Sequence, residues 1–215
     1  MKGKIKTTLL IAVLLLSTIT IAIPLVSADT VEVTLLGDDG WIIGDTREDG
    51  IVDFVFGPEG ALGEGSLRLA TGDSSGGKAT LEKLKLDGFG SLSGISASYE
   101  WYRLPGAGTG TPALKLGIDT TDPNPDTPTA IERGENNFDK ILVYEPWYNE
   151  PGPDETWNLQ TIDQDTGEWW LVDLTDATAT EQYVTLSEWF VDCPILVDAQ
   201  TKVVSIQFGV GSGNP

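Results

Sequence analysis

The sequence predicts an all-β fold, an antiparallel two-sheet sandwich of the jelly-roll type with about ten strands and one short helical turn. Two observations carry this prediction. Short runs of alternating apolar and polar residues recur along the chain, and Gly, Asp, Pro or Ser bound each run. By contrast, no long stretch has the apolar period of an amphipathic helix. Short strands separated by turns at this spacing are typical of sandwiches and barrels.

The alternation gives the strands in order along the chain. They are predicted at residues 31–35, 41–43, 51–56, 66–70, 78–84, 95–102, 113–118, 138–144, 157–162, 169–174 and 204–210. Within them, the pattern assigns a shared face to Val52, Phe54 and Phe56, to Ile95, Ala97, Tyr99 and Trp101, to Leu114, Leu116 and Ile118, and to Val204, Ile206, Phe208 and Val210. The Pro-rich loop at 119–129 cannot be regular structure.

Two connections have a specific sequence signal. The run D-Q-D-T-G-E at 163–168 is predicted to be the turn of a hairpin between the strands at 157–162 and 169–174. Thr185 and Glu188 have the spacing of a capping box, which predicts the helical turn. Leu186, Trp189 and Phe190 would then attach this turn to the sandwich.

The first 28 residues are predicted to be a signal peptide. Three Lys precede an apolar run over residues 9–23, and Pro24 with the small residues 26–28 offers a cleavage site. The alternative is an uncleaved membrane anchor, because the longer stretch from Thr7 to Val26 is nearly long enough to span a bilayer. With cleavage, residues 29–215 form one sandwich domain, secreted or at the cell surface, with no membrane segment in the mature form.

Charge and composition limit the chemistry. The chain carries 13 Lys and Arg against 33 Asp and Glu, and removing the three Lys of the leader takes the formal charge from −20 to −23. This disfavours nucleic acid and anionic membranes as partners, since phosphate binding needs clustered cations. There is no His, which disfavours an esterase or protease with an ordinary triad. The single Cys, Cys193, can form no internal disulfide and is predicted to be a small buried apolar residue.

The segments that carry a family resemblance are L-G-E-G-S-L-R-L from Leu62, S-Y-E-W-Y-R from Ser98, P-A-L-K-L-G-I-D from Pro112, L-V-Y-E-P-W-Y from Leu142, W-N-L-Q-T-I-D from Trp157, E-W-W from Glu168, the turn at Thr185, and F-G-V-G-S-G from Phe208. In this order they resemble secreted, jelly-roll-like domains of unassigned function in bacterial and archaeal surface proteins. The resemblance implies fold and location and brings no catalytic residues. Family members continue after G-S-G into one more strand, whereas this sequence stops at Pro215. We therefore expect either further sequence or a sandwich that lacks a C-terminal edge strand.

Four of the seven Trp lie in a stretch rich in acidic residues and turn formers, residues 144–170. Trp157 and Trp169 fall in strand patterns, where burial in the core is expected, and the same holds for Trp101. Three other residues follow Pro146 in a loop. Aromatic faces stack on the apolar faces of sugar rings, and amides bind hydroxyls. The predicted ligand-binding loop therefore consists of Trp147, Tyr148 and Asn149, with a carbohydrate or surface polymer as ligand.

The segment at 163–168 also begins like an EF-hand loop, with oxygen ligands at alternate positions and a Gly at the turn. Asp163 and Asp165 are the predicted ligands of a structural Ca²⁺. The twelfth position holds Leu174 instead of Glu, so an Asx turn without metal is the competing interpretation. The acidic residues at 45–49 and at 119–122 are similar clusters of possible oxygen ligands.

The sequence lacks the Glu-x-Asp-x-x-Glu arrangement with which laminarinase-type sandwiches place two carboxylates across a sugar. We therefore predict a non-catalytic domain that binds carbohydrate at a cell surface or in an extracellular matrix. The main alternative is a structural subunit that self-associates through a sheet edge. A glycoside hydrolase-like enzyme is a minor alternative.

Overall fold

A computed structural model of the chain describes most of residues 33–211. The described residues are 33, 35–47, 49–60, 65–72, 76–105, 110–120, 138–149, 151–175 and 178–211. All of them belong to one compact unit, residues 33–215. The leader, nearly all of the Pro-rich loop and most of the predicted strand at 31–35 lie outside this set. Among the described residues, no helix has the length and apolarity needed to span a membrane.

The described part of the chain is mainly β-structure, and every strand pair is antiparallel. This confirms the predicted all-β, antiparallel class. The strands are β1 (Trp41–Ile43), β2 (Ile51–Val55), β3 (Ser66–Ala70), β4 (Lys78–Leu84), β5 (Ala97–Tyr102), β6 (Ala113–Asp119), β7 (Lys140–Tyr144), β8 (Trp157–Ile162), β9 (Trp169–Asp173), β10 (Thr178–Ala179) and β11 (Lys202–Gly211). The helices are α1 (Pro146–Asn149) and α2 (Leu186–Asp192), with 3-10 turns at Asp38–Gly40 and Pro194–Val197.

Seven strands form one large sheet in the order β1-β4-β11-β6-β7-β9-β10. The last strand, β11, lies inside this sheet and pairs with β4 on one side and β6 on the other. The other four strands form two separate pairs, β2–β3 and β5–β8. The described residues therefore contain one large sheet and two strand pairs, where the sequence analysis predicted two sheets.

The main hydrophobic core covers one face of the large sheet, which we call the front face. Alternation along β6 directs Leu114, Leu116 and Ile118 into this core, as predicted. The β5–β8 pair adds Ile162, and partly buried residues of β5 pack against the cluster. The buried members are Leu92, Leu114, Leu116, Ile118, Leu142, Tyr144, Ile162, Trp169, Leu171, Leu186, Trp189, Leu196 and Val203.

Phe208 of β11 joins this core to a smaller cluster under the β2–β3 pair. Its ring centroid is 5.3 Å from that of Tyr99 in β5 and 6.2 Å from that of Trp41 in β1. The smaller cluster contains Val52 of β2 and Leu81 of β4, and Leu81 is paired with Phe208. Both strand pairs thus pack on the front face, which makes the fold sandwich-like.

Helix α2 begins at the predicted capping box. The Glu188 amide donates to Thr185 Oγ1 at 3.3 Å, and the Thr185 amide donates to Glu188 Oε2 at 2.9 Å. Leu186 and Trp189 are buried in the main core, and the Trp189 indole donates to the Trp169 carbonyl at 2.9 Å. The capping box and its attachment to the sandwich are confirmed.

The predicted hairpin between β8 and β9 is wrong. β8 pairs with β5, whereas β9 pairs with β7 and β10, so residues 163–168 cross from the β5–β8 pair to the large sheet. The two strands lie in different surroundings. Leu159 of β8 is exposed, whereas Trp169 and Trp170 of β9 are both buried, because β9 is covered on both faces.

β11 does not keep one face throughout. Its register shifts between Val203 and Ser205, which marks a β-bulge. Val203 therefore packs in the main core with Ile206 and Phe208, while Val204 belongs to a cluster on the opposite, back face. The predicted common face of Val204 with the later strand residues is corrected by this bulge. The same back cluster contains Trp170, whose neighbour Trp169 faces the front.

Three smaller predictions also need correction. Phe56 follows the end of β2 and is 91% exposed, so it does not share the buried face of Val52. Leu35 lies in a turn and is exposed. Trp157 is half-buried, because its indole rests on a loop and donates to the Glu59 carbonyl at 3.2 Å. Trp101 and Trp169 are buried, as predicted.

Candidate ligand-binding site

The predicted binding loop is the short helix α1, which follows β7 directly. Pro146 occupies its first position, where the missing N–H costs nothing. The Asn149 side chain then holds the helix in place. Its amide nitrogen donates to the carbonyls of Glu145 at 2.9 Å and Glu168 at 3.1 Å, and its oxygen accepts from the Glu168 amide at 2.6 Å. Asn149 thus ties α1 to the start of β9.

Trp147 and Tyr148 remain partly accessible, at 39% and 51% exposure. The Trp147 amide donates to Thr111 Oγ1 at 3.2 Å, and the Arg103 guanidinium lies over the Trp147 ring at 6.0 Å from the centroid. The Tyr148 ring packs against Tyr183, with centroids 4.7 Å apart. Neighbouring side chains therefore orient both rings without burying them.

Both rings line a cavity of about 650 Å³ on the back face of the large sheet. Its floor is formed by small residues, because Ala113 of β6 and Gly209 of β11 are directly paired there. Side chains of this size leave open volume above the sheet. The described lining residues are Gly110, Thr111, Ala113, Lys115, Glu145, Trp147, Tyr148, Trp170, Ala179, Thr180, Glu181, Tyr183, Gly209, Val210 and Gly211.

Lys115 lines this cavity from the middle of the sheet. It lies in a row of paired residues between Gln207 of β11 and Val143 of β7, and it is only 6% exposed. Burial lowers the pKa of its ammonium to about 8, and the nearby charge of Lys78 adds to this, while Glu145 acts in the opposite direction. Lys115 forms no hydrogen bond or ion pair with another described residue.

Glu145 is the acidic neighbour of Lys115 in the cavity. Burial raises the pKa of its carboxyl, whereas the charge of Lys115 and the indole of Trp170 lower it. The Trp170 Nε1 is buried and has no acceptor within hydrogen-bonding geometry, so the contact of Glu145 with this indole is an electrostatic one. The cavity thus combines one ammonium, the desolvated carboxyl of Glu145, the carboxyl of Glu181 and aromatic walls.

Asp163 and Asp165 lie away from this cavity, in the crossing between β8 and β9. Asp163 Oδ1 accepts the amides of Asp165 and Thr166, each at 2.9 Å, which is the geometry of an Asx turn and lowers the pKa of Asp163. Asp165 accepts the Ser187 hydroxyl at 2.6 Å. Among the described residues, no three acidic or Cys side chains are grouped to hold a metal. Calcium at Asp163 and Asp165 stays a prediction.

Of the two other acidic clusters in the sequence analysis, the one at 45–49 is in contact with basic side chains of the protein through Asp45. Asp45 pairs with Arg47 and with Lys78, the latter at 2.8 Å, and the Arg47 contact does most to lower the pKa of Asp45 to about 2. Glu48 and Asp122 lie outside the described residues. Cys193 is a half-buried free thiol packed against the main core, and burial raises its pKa.

Sequence reasoning identified Trp147 and Tyr148 but missed the cavity they line. Lys115 alternates with Leu114 and Leu116, and such a Lys ordinarily faces water. The available signal was the small size of Ala113, two residues before Lys115, which leaves room beside a long side chain. Thr111, Glu145 and Tyr183 carried no sequence signal, because only the pairing of distant strands brings them together.

Comparison of the chain with protein-family models, with curated proteins and with solved structures finds no match.

Proposed function

We propose that this protein is a secreted, non-catalytic domain that binds carbohydrate at a cell surface or in an extracellular matrix. The observation that carries the proposal is the partial exposure of Trp147 and Tyr148 in the wall of the cavity. The proposal includes a jelly-roll arrangement in which both strand pairs belong to the second layer. Their packing on one face of the large sheet supports it.

The cavity suits a small saccharide in size and chemistry. Ligand sites commonly enclose about 300–1,000 Å³ and combine aromatic walls with a few polar groups. Here two aromatic faces accompany the Thr111 hydroxyl, Lys115 and Glu145. Arg103 and Tyr183 hold the rings in position before a ligand arrives, and this pre-organisation lowers the entropy cost of binding.

A glycan array tests this proposal. We expect the wild-type protein to bind a defined group of glycans and the double variant Trp147→Ala/Tyr148→Ala to lose at least about tenfold in affinity, as loss of two stacking contacts implies. Phe56→Ala is the matched control, since it removes an exposed aromatic ring that does not line the cavity. The proposal is refuted if the wild-type protein binds none of the glycans, or if the double variant binds them as tightly as the wild type does.

Glycoside hydrolysis is a second candidate, and the two carboxyls of the cavity favour it. Glu145 and Glu181 both line the space, and burial shifts the pKa of Glu145 in the direction of a general acid. A hydrolase would release reducing ends from a bound glycan, and Glu145→Gln would abolish that release. Binding without any release of reducing ends leaves the non-catalytic proposal in place.

A structural subunit is the other candidate, and the exposed apolar residues near β1 favour it. Ile42 and Ile43 are exposed on this edge strand, and Leu35 and Leu36 are exposed just before it. The strand has only three residues, which limits the pairing it can offer. Size-exclusion chromatography with light scattering over a dilution series would detect self-association, and Ile42→Lys should abolish it.

A further inference from the structure

Lys115 is a largely buried side chain that lines the proposed binding cavity, and no ion pair joins it to a carboxylate of the described residues. Its stem passes close to Gly209, where an added Cβ would lie 3.7 Å from Lys115 Cε. An ammonium carries three hydrogen-bond donors, and burial without acceptors is unfavourable. The Lys115 ammonium therefore brings hydrogen-bond donors to the cavity for which a ligand can supply the acceptor.

Two neighbouring carboxylates, Glu82 and Asp45, are engaged elsewhere. Glu82 Oε1 accepts from the Ser205 hydroxyl at 2.7 Å and from the Gln207 amide at 3.0 Å. Asp45 is paired with Lys78. Glu145 shares the cavity with Lys115, but no ion pair within 4.0 Å joins them. The described part of the chain thus leaves the Lys115 ammonium available to a ligand.

We propose that the cavity selects acidic saccharides, with the carboxylate of a uronic acid residue on the Lys115 ammonium and the sugar ring against Trp147 and Tyr148. This inference rests on the proposed carbohydrate binding and names its ligand class. A charge-assisted hydrogen bond supplies the affinity for the carboxylate, and the aromatic faces supply the contact with the ring.

The charges that line the cavity and the net charge of the whole protein both limit which anionic ligands can bind. Lys115 is the only basic residue among the described lining residues and shares the cavity with the carboxyls of Glu145 and Glu181, so the cavity offers one cation to a ligand and disfavours a doubly charged phosphate. Over its whole length the protein is strongly acidic, with a formal charge of −20. This field repels polyanions, so a polyuronate can bind only through a local contact that overcomes the repulsion.

The test compares acidic polymers with their neutral counterparts. Polygalacturonate, alginate and hyaluronan are each presented to the wild-type protein beside a carboxyl-reduced form, together with neutral glycans, and affinities are measured by calorimetry. We expect one or more acidic forms to bind about tenfold to hundredfold more tightly than the reduced form, as expected for a charge-assisted bond. Lys115→Met should abolish this preference, whereas Lys202→Met, which removes an exposed Lys outside the cavity, should preserve it.

The outcomes separate this inference from the proposal beneath it. Equal binding of acidic and reduced forms by the wild-type protein overturns the acidic-sugar inference and leaves carbohydrate binding intact. Preference for the acidic form that persists in Lys115→Met overturns the role of Lys115. Absence of binding to every glycan overturns both. The wild-type comparison needs no variant, so it decides the question even if Lys115→Met fails to fold.

Discussion

The Arg103 guanidinium carbon lies 6.0 Å from the ring centroid of Trp147, in cation–π contact between the segment after β5 and helix α1. Arg103 directly follows β5 of the β5–β8 pair, while Trp147 belongs to α1, which follows the end of β7. The same guanidinium is 5.9 Å from the buried Trp101 ring and pairs with Asp154. One largely buried cation thus connects the main body of the sandwich to the candidate binding helix.

We predict that Arg103→Leu destabilises the protein by about 1–2 kcal/mol, because it removes two cation–π contacts and an ion pair. Ligand affinity should also fall, since Trp147 loses a neighbour that orients it. Arg103→Lys keeps the charge but loses the planar guanidinium, so its effect should be intermediate. Urea unfolding and calorimetric binding measure the two effects, and a Leu variant with unchanged affinity would show that Trp147 is held by other contacts.

Removing exposed and buried aromatic rings should have very different costs. Trp147→Ala and Tyr148→Ala should each cost about 1 kcal/mol or less, because much of each ring already faces solvent. Trp169→Ala should cost about 3–5 kcal/mol, since this ring is 1% exposed in the main core. The midpoints of thermal unfolding compare the three variants. If Trp147→Ala unfolds the protein, the α1 surface is part of the core and the binding proposal fails.

Strand positions were predictable because alternation is a local property. The pattern at Leu114, Leu116 and Ile118 identified β6 and its buried face, and the Thr185–Glu188 spacing identified the start of α2. Which strands pair with one another was harder to predict from the sequence. The turn at 163–168 contains the residues of a hairpin turn, and nothing local reveals that β8 and β9 have different partners. The bulge near Val204 is likewise set by the partner strand β6.

The candidate site was only half predictable for the same reason. Trp147 and Tyr148 stood out as aromatic residues next to a Pro in an irregular segment. The alternation around Lys115 predicted that its side chain faces water. It is buried instead because it lies on the back face of a seven-stranded sheet, between two neighbouring strands. Charge burial is a property of tertiary structure, so the residue that carries our ligand inference could be recognised only from the fold.

The capping box makes a quantitative prediction for α2. Thr185→Ala removes the acceptor for the Glu188 amide and should lower the free energy of unfolding by about 1 kcal/mol. Thr185→Ser keeps the hydroxyl and should cost much less. Because Trp189 of this helix packs in the main core, the loss should appear in global unfolding. An Ala variant as stable as wild type would contradict a stabilising role of the cap.

Asp163 distinguishes the turn interpretation from the calcium interpretation. In an Asx turn, Asp163→Asn keeps the acceptor oxygen and should be nearly neutral, whereas Asp163→Ala removes the acceptor and should lower the unfolding midpoint. A calcium site would lose its charge with Asn, and a chelator would lower the unfolding midpoint of the wild-type protein. The loss of stability in Asp163→Ala is expected whether or not calcium binds, because the turn is present in both cases. Thermal unfolding with and without chelator then measures any calcium contribution, and an unchanged midpoint would contradict calcium binding.

The stability of the protein should depend on pH through Lys115. Its pKa is lowered from 10.5 to about 8 in the folded state, mainly by burial. Between these two values the unfolded chain binds more protons than the folded one, so the Lys115 contribution makes stability rise with pH. Below about pH 8 the ammonium is charged in both states, and the full cost of burying it is present. Replacing Lys115 by Met removes that cost, so the variant should be the more stable protein at neutral pH.

The difference between wild type and Lys115→Met isolates this effect from other titrations. The groups that face Lys115, namely Lys78, Arg47, Asp45 and Glu145, are present in both proteins. We expect the advantage of the Met variant to shrink by about 2 kcal/mol between pH 7 and pH 10, as the wild-type ammonium loses its proton. Urea unfolding of both proteins across this range measures the change. An advantage that stays constant with pH would mean that the ammonium is satisfied in the folded state, and a less stable Met variant at pH 7 would mean that Lys115 serves the fold and not a ligand.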